Sequence, residues 1–169
     1  MPWLSTIVRH GKCRFFLSRL PKDSRILEVG CGDGWVGRYL RENGWTRYTG
    51  MDLHPPADMV GDIRNWRDLG IQGEAFDAVL AFEVVEHVDC FQAMYDVLAP
   101  GGLLMITSPH PRWDWLCKIL ETLGLNQRRG SPHDHLIDFK EIPFFEMLEL
   151  RRAGVVAQWG IFRKPKGAA

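Results

Sequence analysis

The stretch Ile26–Gly37, reading ILEVGCGDGWVG, leaves few folds open to this chain. Ile26, Leu27 and Val29 form a short apolar run that suits a strand buried on both faces. Gly30, Gly32 and Gly34 follow at alternate positions, and a helical segment, Trp35 to Glu42, comes next. A strand that ends in glycines and re-enters as a helix makes a turn free of Cβ atoms, so a ligand can approach the bare backbone. The helix N-terminus adds unpaired N–H groups there. Two ligand classes fit. Gly32, Gly34 and Gly37 satisfy G-x-G-x-x-G, and Asp52 lies about twenty residues on, as a dinucleotide-binding turn requires. Glu28 and Asp33 instead suit a cationic ligand, since carboxylates repel a pyrophosphate.

Glu28, Gly30, Gly32 and Gly34 also complete the pattern E/D-x-G-x-G-x-G. Here the chain resembles the class I S-adenosylmethionine-dependent methyltransferases. Three further segments carry the resemblance in order. A strand from Arg47 to Leu53 ends near Asp52, which the resemblance assigns to both ribose hydroxyls of the cofactor. A carboxylate has two oxygens to accept two hydroxyl protons; the alternative is an Asp that caps the loop His54-Pro55-Pro56. FDAVLAF, Phe76 to Phe82, reads as a buried strand followed by Glu83 and the pair Glu86-His87. Ligands gather at the carboxyl ends of such strands, which puts Ala81, Phe82 and Glu83 on the ligand side. LAPGGLLMIT breaks a helix over Asp89–Leu98 and starts a strand over Leu103–Thr107. Between these, a weak third strand in Asp58–Ile63 leads to a helical stretch through Leu69. The resemblance sets Asp62 against the adenine amino group and Ile63 beside the ring, while a helix N-cap is the local reading of Asp62.

The resemblance covers residues 25 to 108 and implies S-adenosylmethionine as cofactor, with S-adenosylhomocysteine as product. The residues it implies for binding are Glu28, Gly30, Cys31, Gly32, Gly34, Asp52, Leu53, Asp62, Ile63, Phe82 and Glu83. The implied fold is α/β, a three-layer Rossmann-like methyltransferase sandwich with a mostly parallel sheet of order 3-2-1-4-5 plus a C-terminal strand. At 169 residues a single domain is expected: an N-terminal helix in 1–22, a cofactor-binding core in 23–108, and a substrate-side part in 109–169. Leu4, Ile7, Val8, Gly11 and Phe15 recur at helical spacing before Pro21.

Beyond Ser108 the pattern predicts helices over Arg112–Leu123 and Glu141–Arg152 and a last strand over Val155–Arg163. HDHLIDF and the segment after it resemble the H-L-x-x-F, helix, A-G-F pattern of small-molecule methyltransferases. Only one strand then follows, so six strands and a shortened C-terminal end are expected, with an edge that could pair with another subunit as a homodimer. His110 and His135 are the candidate catalytic residues, as base or substrate orienter; His87 reads as a residue that orders a helix start. Trp113 and Trp115 could stack on a flat or apolar substrate. His133, Asp134 and His135 are neighbours in a loop without spaced partners, so no metal site is expected.

Lys+Arg and Asp+Glu are both 21, so no global field draws the chain to nucleic acid. No apolar run approaches the roughly 18 residues of a membrane span. The four cysteines show no C-x-x-C pair, which suits reduced thiols in a cytoplasm. The [D/N]-P-P-[Y/F] tetrad of amino-base methylation is replaced by Glu83-Val84-Val85-Glu86, and no Pro-Cys dipeptide serves cytosine C5 chemistry. The expected enzyme therefore moves a methyl group by in-line displacement onto a small-molecule acceptor. A cofactor-binding regulatory or scaffold module without catalysis is the alternative, and a dinucleotide oxidoreductase a third reading.

Overall fold

The computed structural model describes residues 3–111, 137–153 and 157–167. Helix α1 (Trp3–Phe16) leads into β1 (Ile26–Val29), α2 (Trp35–Glu42), β2 (Tyr48–Asp52) and β3 (Met59–Val60). Then come β4 (Phe76–Phe82), α3 (Phe91–Val97), β5 (Leu98–Pro109), β6 (Glu146–Ala153) and β7 (Ala157–Arg163). The strands form one seven-stranded sheet in the order β3-β2-β1-β4-β5-β7-β6. Strands β1 to β5 pair parallel, and β7 lies antiparallel between β5 and β6.

Strand alternation divides the core between the two faces of the sheet. Ile26, Ala78, Leu80 and Met105 point to one side, where Cys13 and Phe16 of α1 and Val36 and Leu40 of α2 cover them. Leu27, Val79, Ala81, Leu104 and Ile106 point to the other, against Met94 and Val97 of α3 and Ile63 and Trp66. Both faces being covered, the central strands read as near-continuous apolar runs, interrupted by Glu28 in β1 and Asp77 in β4. Burying each of the larger side chains stabilises the fold by about 1.5–3 kcal/mol. Pro21 halts the first helix, which closes through a 3₁₀ turn at Leu17–Arg19.

The Pro-Gly-Gly segment lies inside β5, beginning at Leu98 rather than Leu103. Phe76 pairs with Leu98 and Ala78 with Leu103, so Ala99–Gly102 bulges opposite a single residue of β4. The stretch after Asp62 is a 3₁₀ turn, Ile63–Asn65, followed by turns.

The C-terminal expectations need correction. Glu146–Ala153 is a strand where a helix over Glu141–Arg152 was expected, and the sheet has seven strands, not six. The C-terminal end is accordingly not shortened: β6 and β7 are two antiparallel strands after β5. Met, Leu, Glu and Arg favour helix on local propensity, but pairing with β7 from Glu146↔Arg163 to Ala153↔Ala157 outweighs it. Only Phe139–Glu141 forms a helical turn there, and Phe144 at φ 70° breaks any longer one. The expected helix over Arg112–Leu123, with Trp113 and Trp115, lies outside the described residues, as do His133, Asp134 and His135.

Candidate functional site

The carboxyl ends of β1, β2 and β4 open on one edge of the sheet, where a cleft of about 330 Å³ lies. Gly30 forms its lip. The Gly30 and Cys31 amides donate to the Met51 carbonyl at 2.8 and 3.0 Å, which fixes the turn to β2. Gly30 has φ 73°, and a Cβ there would stand 2.5 Å from Val84 Cγ2, so only glycine fits. Gly34, at φ 70°, then caps α2, while Asp33 Oδ1 accepts from the Trp35 amide at 3.2 Å.

Asp52 also lines the cleft. Its Oδ2 accepts from the Gly32 amide at 2.9 Å and its Oδ1 from the His54 amide at 3.2 Å. The carboxylate thus ties the glycine turn to its own loop, and each oxygen keeps a lone pair for a ligand hydroxyl. Leu53, 61% exposed, and buried Ile63 supply apolar walls. Asp62 is engaged differently: it caps the Ile63–Asn65 turn and accepts from Arg64 through both oxygens, with Arg64 Nη2 2.5 Å from Oδ2. Hydrogen bonding to Arg64 holds the Asp62 carboxyl below its usual value.

Glu28 does not line this cleft. It is 2% exposed beneath the turn, and the Tyr48 hydroxyl donates to its Oε2. Burial pushes Glu28 up to about 8, with Asp33 and Asp52 adding to the rise while Tyr48 and Lys12 oppose it. It is therefore neutral at pH 7, and the acidic character of the cleft comes from Asp52, Asp62 and Glu83. Cys31 is buried below the turn, its thiol pushed up to about 11 by burial and the neighbouring carboxylates. Gly32, Gly34 and Phe82 also stand outside the lining; Phe82 packs on Phe16 at 5.1 Å between ring centroids.

Glu83 closes the cleft at the end of β4, with Val84, His87 and Val88 beside it. His110 ends up at the tip of β5, 8% exposed, with Nε2 4.0 Å from Asp138 Oδ2. It is not part of the cleft lining, and its expected companion His135 lies outside the described residues. Among the described residues no group of three His, Cys, Asp or Glu side chains is placed to hold a metal ion.

The sequence reading missed Lys12 and Arg64, and named Glu86 only as part of the pair Glu86-His87. Lys12 Nζ donates to Glu83 Oε1 at 2.9 Å from α1. A signal existed: Lys12 falls four residues before Phe16, on the buried stripe of its helix, where a charge needs a partner.

The fold and cleft have parallels. A family model described as a methyltransferase domain matches residues 6–153. Malonyl-acyl-carrier-protein O-methyltransferase of Enterobacter lignolyticus is 32% identical over 109 residues, 54% of this chain and 42% of that protein. The mitochondrial ubiquinone biosynthesis O-methyltransferase of Rattus norvegicus is 37% identical over 105 residues, 50% of this chain and 30% of its own length. The chain thus spans less than half the length of these curated relatives. An S-adenosylmethionine-dependent methyltransferase structure from Methanosarcina mazei shares the fold at TM-score 0.65 and 18% identity, covering 89% of this chain and 97% of that one. With the family match running over most of its length, this chain belongs to the methyltransferase-domain family.

Proposed function

We propose that the chain transfers a methyl group from S-adenosylmethionine to a small-molecule acceptor by in-line displacement. The observation that carries this is the cleft itself, whose bare-backbone lip at Gly30 and half-free carboxylate at Asp52 fit a nucleoside. When bound, the sulfonium cofactor supplies an already activated methyl group. The protein's part is to align donor and acceptor and to keep water away.

The glycine turn and Asp52 would hold the nucleoside, with Leu53 and Ile63 against its flat base. Asp62 joins only if Arg64 yields one of the oxygens it now occupies. Glu28, Cys31, Gly32, Gly34 and Phe82 support the turn from below and beside it, and Glu83 bounds the end where the methyl would be passed. His110 and His135 enter as residues of the acceptor side. The relatives are named for O-methylation, which favours an oxygen acceptor and lends nothing to a non-catalytic module.

The same reading takes 1–22, 23–108 and 109–169 as parts of one domain. Among the described residues no helix is long and apolar enough to cross a membrane, and the buried free thiols of Cys13, Cys31 and Cys90 suit a reducing cytoplasm. A homodimer would form through β6, whose acidic end (Glu146, Glu149) faces the basic end (Arg151, Arg152) of an antiparallel copy; sedimentation giving only monomer rejects it.

Calorimetric titration tests the central reading. S-adenosylmethionine should bind and NAD should not, and Asp52→Ala should weaken the affinity more than tenfold as its hydroxyl contacts are lost. Unchanged affinity in that variant would remove Asp52 from the site.

A further inference from the structure

A second polar cluster stands at the far end of the cleft, built from three segments. Lys12, on α1, donates to Glu83 Oε1 at 2.9 Å and to Thr107 Oγ1 at 3.0 Å, and Thr107 Oγ1 donates to the same Glu83 oxygen at 2.7 Å. The Glu83 side chain is 45% exposed through the cleft, whereas that of Lys12 is 10% exposed. Glu83 also sits at φ 59°, a left-handed backbone that a residue other than glycine rarely adopts, held by its amide donating to the Thr107 carbonyl at 2.9 Å. The turn therefore aims this one carboxylate into the cleft.

Behind it lies Glu86, 1% exposed. Among the described residues, Glu86 Oε2 is the buried side-chain oxygen left without a hydrogen-bond partner. A neighbouring carboxylate disfavours ionisation of a buried carboxyl. Burial, then the charge of Glu83, keep Glu86 protonated above the usual carboxyl range. At Glu83 burial works the same way, but Lys12 and the Thr107 hydroxyl outweigh it and hold the group ionised. The two carboxyls are thus pushed in opposite directions, Glu86 toward its protonated form and Glu83 toward its ionised one. His87 in the cleft wall and His110 at the end of β5, beside Asp138, are the other titratable groups on these segments.

We propose that Glu83 is the general base for an acceptor bearing a neutral hydroxyl, and that Glu86, buried behind it, is the positioning residue whose own ionisation tunes the basicity of Glu83. This rests on the methyl-transfer reading above. The acceptor O–H bond breaks as its proton passes to Glu83, the freed oxygen pair forms the bond to the methyl carbon, and the C–S pair returns to sulfur. A phenol or alcohol has that proton to give. A carboxylate acceptor has none and meets the Glu83 charge.

The test compares the whole chain with Glu83→Gln and Glu86→Gln. Calorimetry with S-adenosylmethionine comes first: wild-type binding keeps the methyl-transfer reading, and absence of it overturns that reading together with this one. Glu86→Gln, buried behind the cleft, should bind within about threefold of wild type; Glu83 lines the cleft, so Glu83→Gln is compared at saturating cofactor. Loss of binding in Glu86→Gln would assign the cluster to the cofactor and overturn the proposal. A panel of phenols, alcohols and fatty acids is then assayed by mass spectrometry. Methylated hydroxyls, slowed about 100-fold or more in Glu83→Gln, are expected. The wild-type rate should climb as pH is raised above neutrality, and Glu86→Gln should lose that climb. Carbon NMR of labelled glutamates gives a readout without turnover: of the two carboxyls titrating above the usual range, Glu28 and Glu86, one should vanish in Glu86→Gln and the other remain. Methylation of fatty acids alone, full activity in Glu83→Gln, an unaltered pH profile in Glu86→Gln, or cofactor binding with no hydroxyl methylated would each overturn it.

Discussion

Gly30 and Glu28, two residues apart, show how differently neighbouring positions of one motif work. At Gly30 the left-handed φ of 73° and the nearby Val84 methyl act together. Gly30→Ala must strain the backbone and displace Val84 from the cleft wall. It should cost about 1–3 kcal/mol of stability in urea unfolding, and calorimetry should record a weakened nucleoside site. Wild-type values in both measurements would mean the turn relaxes freely. Glu28 contributes through burial instead. A letter code shows a carboxylate there, yet enclosure beneath the turn leaves it protonated at neutrality and bonded to Tyr48. Motif position was legible in the letters, and ionisation state was not, because desolvation depends on what the chain packs around the group.

Among the elements, β1, α2 and β4 could be read from the sequence because each is a local pattern: an apolar run, a glycine-started helix, a second apolar run. Part of the FDAVLAF pattern turns out to be an anchor. Asp77 accepts from the Arg25 backbone amide at 2.8 Å and from its guanidinium at 2.7 Å, joining the starts of β4 and β1 at the edge opposite the cleft. Arg25 holds the Asp77 carboxyl below its usual value. The pair is partly exposed, 36% and 42%, so Asp77→Ala should lower stability by only about 1 kcal/mol. Thermal melts should show a modest drop and calorimetry an unchanged cofactor affinity; a lost affinity would mean the two edges are coupled. By contrast, β6 was illegible. Its residues suit a helix taken alone, and only the presence of β7 as a partner selects the extended form.

For the molecule as a whole, the buried acids set how stability follows pH. Glu28 moves from 4.5 to about 8 on folding, and Glu86 moves in the same direction. Between those values the folded chain holds protons that the unfolded chain has released. Their stabilising contribution is complete below about 4.5 and is lost as pH rises through about 8. Asp62 and Asp77, lowered on folding, act oppositely and lose their contribution only in more acidic solution. The melting temperature should therefore fall between pH 5 and 8, and Glu28→Gln should flatten that slope. An equally steep slope in the variant would mean Glu28 is ionised in the folded chain. From the sequence alone came the family, the parallel core and the place of the glycine turn, since these rest on contacts between neighbours along the chain and on the special conformations of glycine. Tertiary structure alone decided that the C-terminal segment is a strand, that Glu28 carries a proton, and that Lys12 meets Glu83, because each depends on groups brought together from distant parts of the chain.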